Sequence, residues 1–199
     1  MNPSERLYSV VVDPETNQDM ATNQLEHTVA GITLGGRLHG ASVWVVLALR
    51  VIAGIAFVQN GLGKVLGGFD AQGYLLGAGA SPISGFLAWI AATPPALEAV
   101  NVLVAWGELF IGLGLLVGFL TRLAAFSGVF MMVLFYLGNW SIATEGTLVT
   151  EPLLYLLVFL ALAAFGAGRI LGVDRIVENY EVGDQTLIER HPHLGTFLG

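Results

Sequence analysis

Two ionisable side chains sit inside apolar runs long enough to cross a bilayer. Arg50 lies within SVWVVLALRVIAGIAFVQNGL (Ser42–Leu62), and Glu108 lies within ALEAVNVLVAWGELFIGLGLLVGFL (Ala96–Leu120). A lone charge at such depth is costly, so each should face a helix bundle and meet an opposite charge. Arg50 is eight residues from the start of its run, ~12 Å at helical rise, and Glu108 is about ten residues from the far end of its own, or ~15 Å. Antiparallel neighbours would place both at one level. The spacing therefore predicts an intramembrane ion pair between Arg50 and Glu108.

The helical faces extend the argument. Arg50, Gly54, Phe57, Gly61 and Lys64 share one face, and Glu98, Asn101, Ala105 and Glu108 share another. If those faces meet, Lys64 comes near Glu98 or Asn101, with glycines 54 and 61 allowing close approach. A second polar set gathers at the opposite ends of the runs. Gln59, Asn60 and Lys64 close the first, Glu98 and Asn101 open the second, Asn139 and Trp140 end the third, and Glu151 opens the fourth with Tyr155 a turn deeper. These predict an outward-opening polar pocket whose donors suit a quinone carbonyl or a small anion. The plainer readings are a buried pair that only fixes helix register, and span ends that only meet interfacial water.

The elements that must carry these residues follow from composition. The chain has 199 residues, 55% hydrophobic and 12% charged, with 26 glycines and no cysteine. Disorder is excluded, as are disulfides, iron–sulfur ligation, thiolate zinc sites and cysteine nucleophiles. Four runs, Ser42–Leu62, Ala96–Leu120, Leu123–Trp140 and Glu151–Gly168, read as spans, because only helices satisfy a lipid-facing backbone in a single run. The expected fold class is all-α: a polytopic membrane protein, a four-transmembrane-helix bundle over residues 41–169 between acidic tails 1–40 and 170–199. Pro95 and Pro152 fall in first turns, with Thr93 and Thr150 before them as caps. Ser81-Pro82 starts a short interfacial or re-entrant helix, Ile83–Ala92, between the first two spans, with Trp89 at headgroup level. Another short helix is expected near Asn23–Ala30. Gly114-x-x-x-Gly118 resembles a helix-packing motif.

Charge sets orientation. Arg37, Arg122, Arg169 and Arg175 flank one side of the spans, whereas the other has only Lys64, so both termini are expected in the cytoplasm. Five acids against two bases in each tail, and a single lysine in the chain, fit either a salt-loving host or simply solvated acidic tails. Neither tail is basic enough for nucleic acid or anionic lipid, and the first has no apolar core after a basic start, so it is not read as a signal peptide. The histidines, His27, His39, His191 and His193, all lie outside the spans. A bis-histidine haem within the bundle is thereby excluded, and His191 and His193 read as tail residues with no metal site expected. No phosphate loop or hydrolase elbow is evident.

The stretch LRVIAGIAFVQNGLGKVLGG (Leu49–Gly68), then GELFIGLGLLVGFLTRLAA (Gly107–Ala125), then GAGRILGVDR (Gly166–Arg175), resembles the DoxX/DoxD family of small four-span membrane proteins from Ser42 to Arg175. The resemblance implies the membrane subunit of a thiosulfate:quinone oxidoreductase, acting beside a second subunit, in the plasma membrane. Quinone would be the acceptor, with no haem or iron–sulfur cluster held by this chain. Lys64 would attract an anion or support quinone reduction, Glu98 and Glu151 would carry protons, and Asn60, Asn101, Asn139 and Tyr155 would bind substrate. Arg50, Lys64 and Glu108 fall where the family carries recurring polar positions. The alternatives are a non-catalytic anchor or scaffold for soluble redox enzymes, and a carrier of a small solute or lipid. Membrane lipid and a second copy are the further partners expected.

Overall fold

In the computed structural model, residues 24–29, 32–37, 40–140, 145–178, 180–182 and 185–186 are described. The chain divides into two units, Met1–Trp44 and Val45–Gly199. The first holds an antiparallel hairpin of β1 (Gln24–Val29) and β2 (Ile32–Arg37), in register Thr28↔Thr33 and Val29↔Ile32. This corrects the helix expected near Asn23–Ala30. Four β-branched residues flank Ala30-Gly31, and strand pairing suits them better than a helix does. His39, His191 and His193 fall outside the described residues.

A 28-residue helix, α1 (Gly40–Gly67), leads into the second unit. Then come α2 (Gln72–Gly77), α3 (Ser84–Ala92), α4 (Pro94–Val117), α5 (Thr121–Gly138) and α6 (Glu151–Ala164). A 3-10 turn (Ala167–Arg169), α7 (Val173–Glu178) and a short β3–β4 pair (Glu181–Val182, Gln185–Thr186) complete the described part. Helices thus build the body of the second unit. Three of them, over Ser42–Gly67, Pro94–Val117 and Thr121–Gly138, are long and apolar enough to cross a membrane, and α6 is a shorter apolar helix. The connection between α1 and α4 folds as two helices rather than the single one expected.

Phe57 from α1, Leu115 from α4, Ala125 from α5, and Phe159 and Leu162 from α6 form the centre of the core. The Phe57 ring stands edge-on to Tyr155 and Phe159, at 5.5 and 4.9 Å between centroids. Fully burying one such side chain from water is worth about 1.5–3 kcal/mol. Between helices already in hydrocarbon that driving force largely cancels, and close packing decides. Glycine supplies it where α1 meets α4. A side chain at Gly61 would strike Leu109, one at Gly112 would strike Val58, and one at Gly54 would strike Leu116. These three contacts share one antiparallel register, in which Glu108 stands opposite Leu62 and Arg50 stands opposite Leu120.

Prolines 94 and 95 open α4 and Pro152 lies in the first turn of α6, as the sequence suggests. The threonines before them take the cap positions without capping. Thr93 turns its hydroxyl back to Trp89 O (2.8 Å), and the Thr150 hydroxyl has no partner. At the other end of α4, Gly118 adopts φ +69°, and Gly118 N and Phe119 N both donate to Gly114 O. The second glycine of the Gly114–Gly118 motif therefore ends the helix, because only that residue type enters the left-handed region without strain.

Candidate functional site

Lys64 and Glu108 carry the site. The Nζ of Lys64, near the end of α1, donates to Oε2 of Glu108 in the middle of α4. Glu108 is buried at 4% exposure, while the lysine side chain keeps 25%. An ammonium has three N–H donors, so two remain beyond the one given to Glu108. The same nitrogen lies 5.5 Å from the centre of the Phe69 ring.

This pairing corrects the expected Arg50–Glu108 bridge, and equally the expected approach of Lys64 to Glu98 or Asn101. The depth count assumed that α1 and α4 start and end at common planes. They do not. In the register set by the glycine contacts, Glu108 is level with residues just before Lys64, and Arg50 is level with the turn after α4.

The cap over this end is held by side chains. Asn101 Oδ1 accepts from Ala71 N (2.8 Å), Tyr74 OH donates to Phe135 O (3.1 Å), and Ser81 Oγ donates to Leu137 O (2.6 Å). Leu75, Leu87, Ile90 and Ala91 pack beneath, against the first turns of α4. Outside the crossing helices, burial raises the Tyr74 phenol above its ordinary value. Asn101 thus serves the α1–α4 connection. Tyr155 contributes its ring to the core. Asn60, Glu98, Asn139 and Glu151 are exposed and join no hydrogen bond or ion pair seen with Lys64 or Glu108.

A groove of about 880 Å³ lies elsewhere, between α4 and α5, lined by Leu103, Gly107, Phe110, Ser127 and Phe130 among others. It occupies the face of α4 away from Glu108 and is almost wholly apolar, unlike the polar pocket expected from sequence.

Arg50 is held quite differently. Its Nη1 donates to Ala167 O (2.6 Å) and Ile170 O (2.8 Å), and its Nη2 to Leu171 O (3.5 Å). Asp174, fully buried, accepts from Leu120 N (2.7 Å) and Thr121 N (3.0 Å), while its own N–H donates to Gly118 O (2.8 Å). Asp174 is thereby the cap of α5, and its field reaches the guanidinium. Sequence reasoning missed this role. The only signal was an Asp eight residues after Gly166 in GAGRILGVDR.

No group of three or more His, Cys, Asp or Glu residues is disposed to hold a metal ion among the described residues. Neither a curated protein nor a solved structure matches the chain. The DoxX family model matches residues 45–140, from α1 to just past α5. With its apolar helices and a DoxX domain over residues 45–140, the chain is a DoxX-domain membrane protein.

Proposed function

We propose that this chain is the integral membrane subunit of a quinone-linked oxidoreductase, with thiosulfate as electron donor and a second, soluble subunit as partner. The Lys64–Glu108 pair is the observation that carries the reading. Burying a carboxylate between two membrane helices is costly, and a partly open ammonium with two spare donors is what a quinone carbonyl needs as charge builds on it. Two thiosulfate ions joining through sulfur release two electrons, and the quinone takes these with two protons to become quinol. In this reading Glu108, paired with the lysine, holds one of those protons for the carbonyl. This moves the proton-carrying role from Glu98 and Glu151 to Glu108.

In this reading α6 completes a fourth crossing. Its 14 residues reach about 21 Å at helical rise, and the apolar Leu148 and Val149 before it extend the stretch. Both termini then lie on the cytoplasmic side of the plasma membrane, and the Lys64 end faces outward.

The test is quinone-reduction kinetics on purified protein with thiosulfate, with and without its co-isolated subunit. Lys64→Met and Glu108→Gln should each abolish turnover while the protein still inserts and melts cooperatively. Turnover unchanged in both variants removes the site. A parent protein that holds a redox partner yet never reduces quinone would establish the scaffold instead.

A further inference from the structure

The stretch after α6 is fastened to the bundle by polar bonds far more than by apolar burial. Apart from Asp174, its buried residues are small: Gly166, Ala167, Gly168 and Gly172, with Ile170 only partly packed on the core. A side chain at Gly168 would run into the Asp174 carboxylate and Thr121, and one at Gly172 into Gly168 O. Against that small apolar contact stand the three bonds from Arg50, the two that Asp174 accepts from Leu120 and Thr121, and the one from Asp174 N to Gly118 O. A buried alanine methyl contributes less than one hydrogen bond to a charged group, so the staples decide whether this stretch stays in place.

Two further observations bear on its opening. Arg50 Nε and the Thr121 hydroxyl are buried at its inner surface with no hydrogen-bond partner. Such groups would regain a partner from water if the stretch lifted, which lowers the cost of lifting. The stretch also contains two left-handed residues, Gly166 at φ +58° and Leu171 at φ +51°. For a leucine that conformation is strained, and release would relieve it.

We propose that Gly166–Asp174 is a strap that opens as a unit, admitting water to Arg50 and Thr121 at the α4–α5 end while the core around Phe57, Leu115 and Phe159 stays folded. Single-cysteine labelling tests this cleanly, since the chain has no cysteine. Thr121→Cys places a thiol behind the strap, at a position with no exposure, and Ile176→Cys is an exposed control. Purified protein in micelles is treated with a charged, membrane-impermeant maleimide. Thr121→Cys should react at least about tenfold more slowly than Ile176→Cys, and adding Asp174→Asn should raise its rate at least about tenfold while the helical circular dichroism is retained. Arg50→Gln should do the same; should it not fold, the Asp174→Asn arm decides alone. The strap is overturned if Thr121→Cys labels as fast as the control in the parent. It is equally overturned if Asp174→Asn leaves the rate unchanged, or if labelling rises only with loss of helical signal.

Discussion

Arg50 and Lys64 lie on one face of one helix, about four turns apart, yet the protein treats the two cations in opposite ways. Lys64 meets a carboxylate, stays a quarter exposed and keeps donors in hand. Arg50 spends its terminal nitrogens on backbone carbonyls and is sealed at 2% exposure. Side-chain geometry explains the division. A planar guanidinium reaches three oxygens of one turn at once, whereas a compact ammonium pairs with one oxygen and leaves the rest of its sphere open. The buried cation is thus a fastener, and the half-open one is the chemical candidate.

Breaking the fastener should give the largest effect. Arg50→Met strands the carbonyls of residues 167, 170 and 171, and the expected loss is about 4 kcal/mol, read as a lowered melting temperature in detergent. Next comes the seam that sets the register of the two cations. Gly112→Val drives a branched side chain into Val58 of α1, with about 3 kcal/mol lost, and it should also shift the register that brings Lys64 to Glu108, seen as reduced crosslinking between cysteines placed at residues 65 and 105, which leave both charges in place. At the open end, Lys64→Met should cost only about 1–2 kcal/mol, because a quarter-exposed lysine is partly screened, and adding Glu108→Gln should return part of that loss. A double variant no more stable than Lys64→Met alone would show that the two charges are not coupled.

The smallest effect belongs to the cap. Tyr74→Phe should cost about 0.5 kcal/mol, since the bond to Phe135 O is exposed. Its pH dependence has a definite sign. With the folded phenol raised by burial, its contribution is present below the unfolded value, near pH 10, and is lost as pH rises through the folded one. The parent should therefore loosen at the cap in alkali by amide exchange around residues 71–77, and Tyr74→Phe should remove that pH dependence.

The crossing helices were legible because apolar runs and proline starts act locally, whereas Gly118, read as part of a packing motif inside a span ending at Leu120, ends its helix instead. That α1 and α4 lie together antiparallel was legible too, from glycines 54 and 61 at helical spacing. Which residues face each other was not. Helix length is written in the sequence, but relative sliding is set by where Gly61 and Gly112 admit the opposite backbone, and no run of hydrophobicity encodes that. A slip of this kind exchanges Arg50 for Lys64 as the partner of Glu108. The partners of Arg50 were hidden for another reason: they are carbonyls, which every residue has. The hairpin at β1–β2 was misread because a short segment with alternating Leu25, His27 and Val29 was judged without the strand it pairs with.

The region matched by the DoxX model stops at residue 140, short of α6. A fragment trimmed to that border would lose Phe159, the ring lodged against Phe57, together with the three carbonyl oxygens of residues 167, 170 and 171 to which Arg50 donates. What remained would be three crossing helices around an uncompensated cation. The smallest piece able to stand alone therefore runs beyond Asp174, and engineered fusions or deletions should be placed after it.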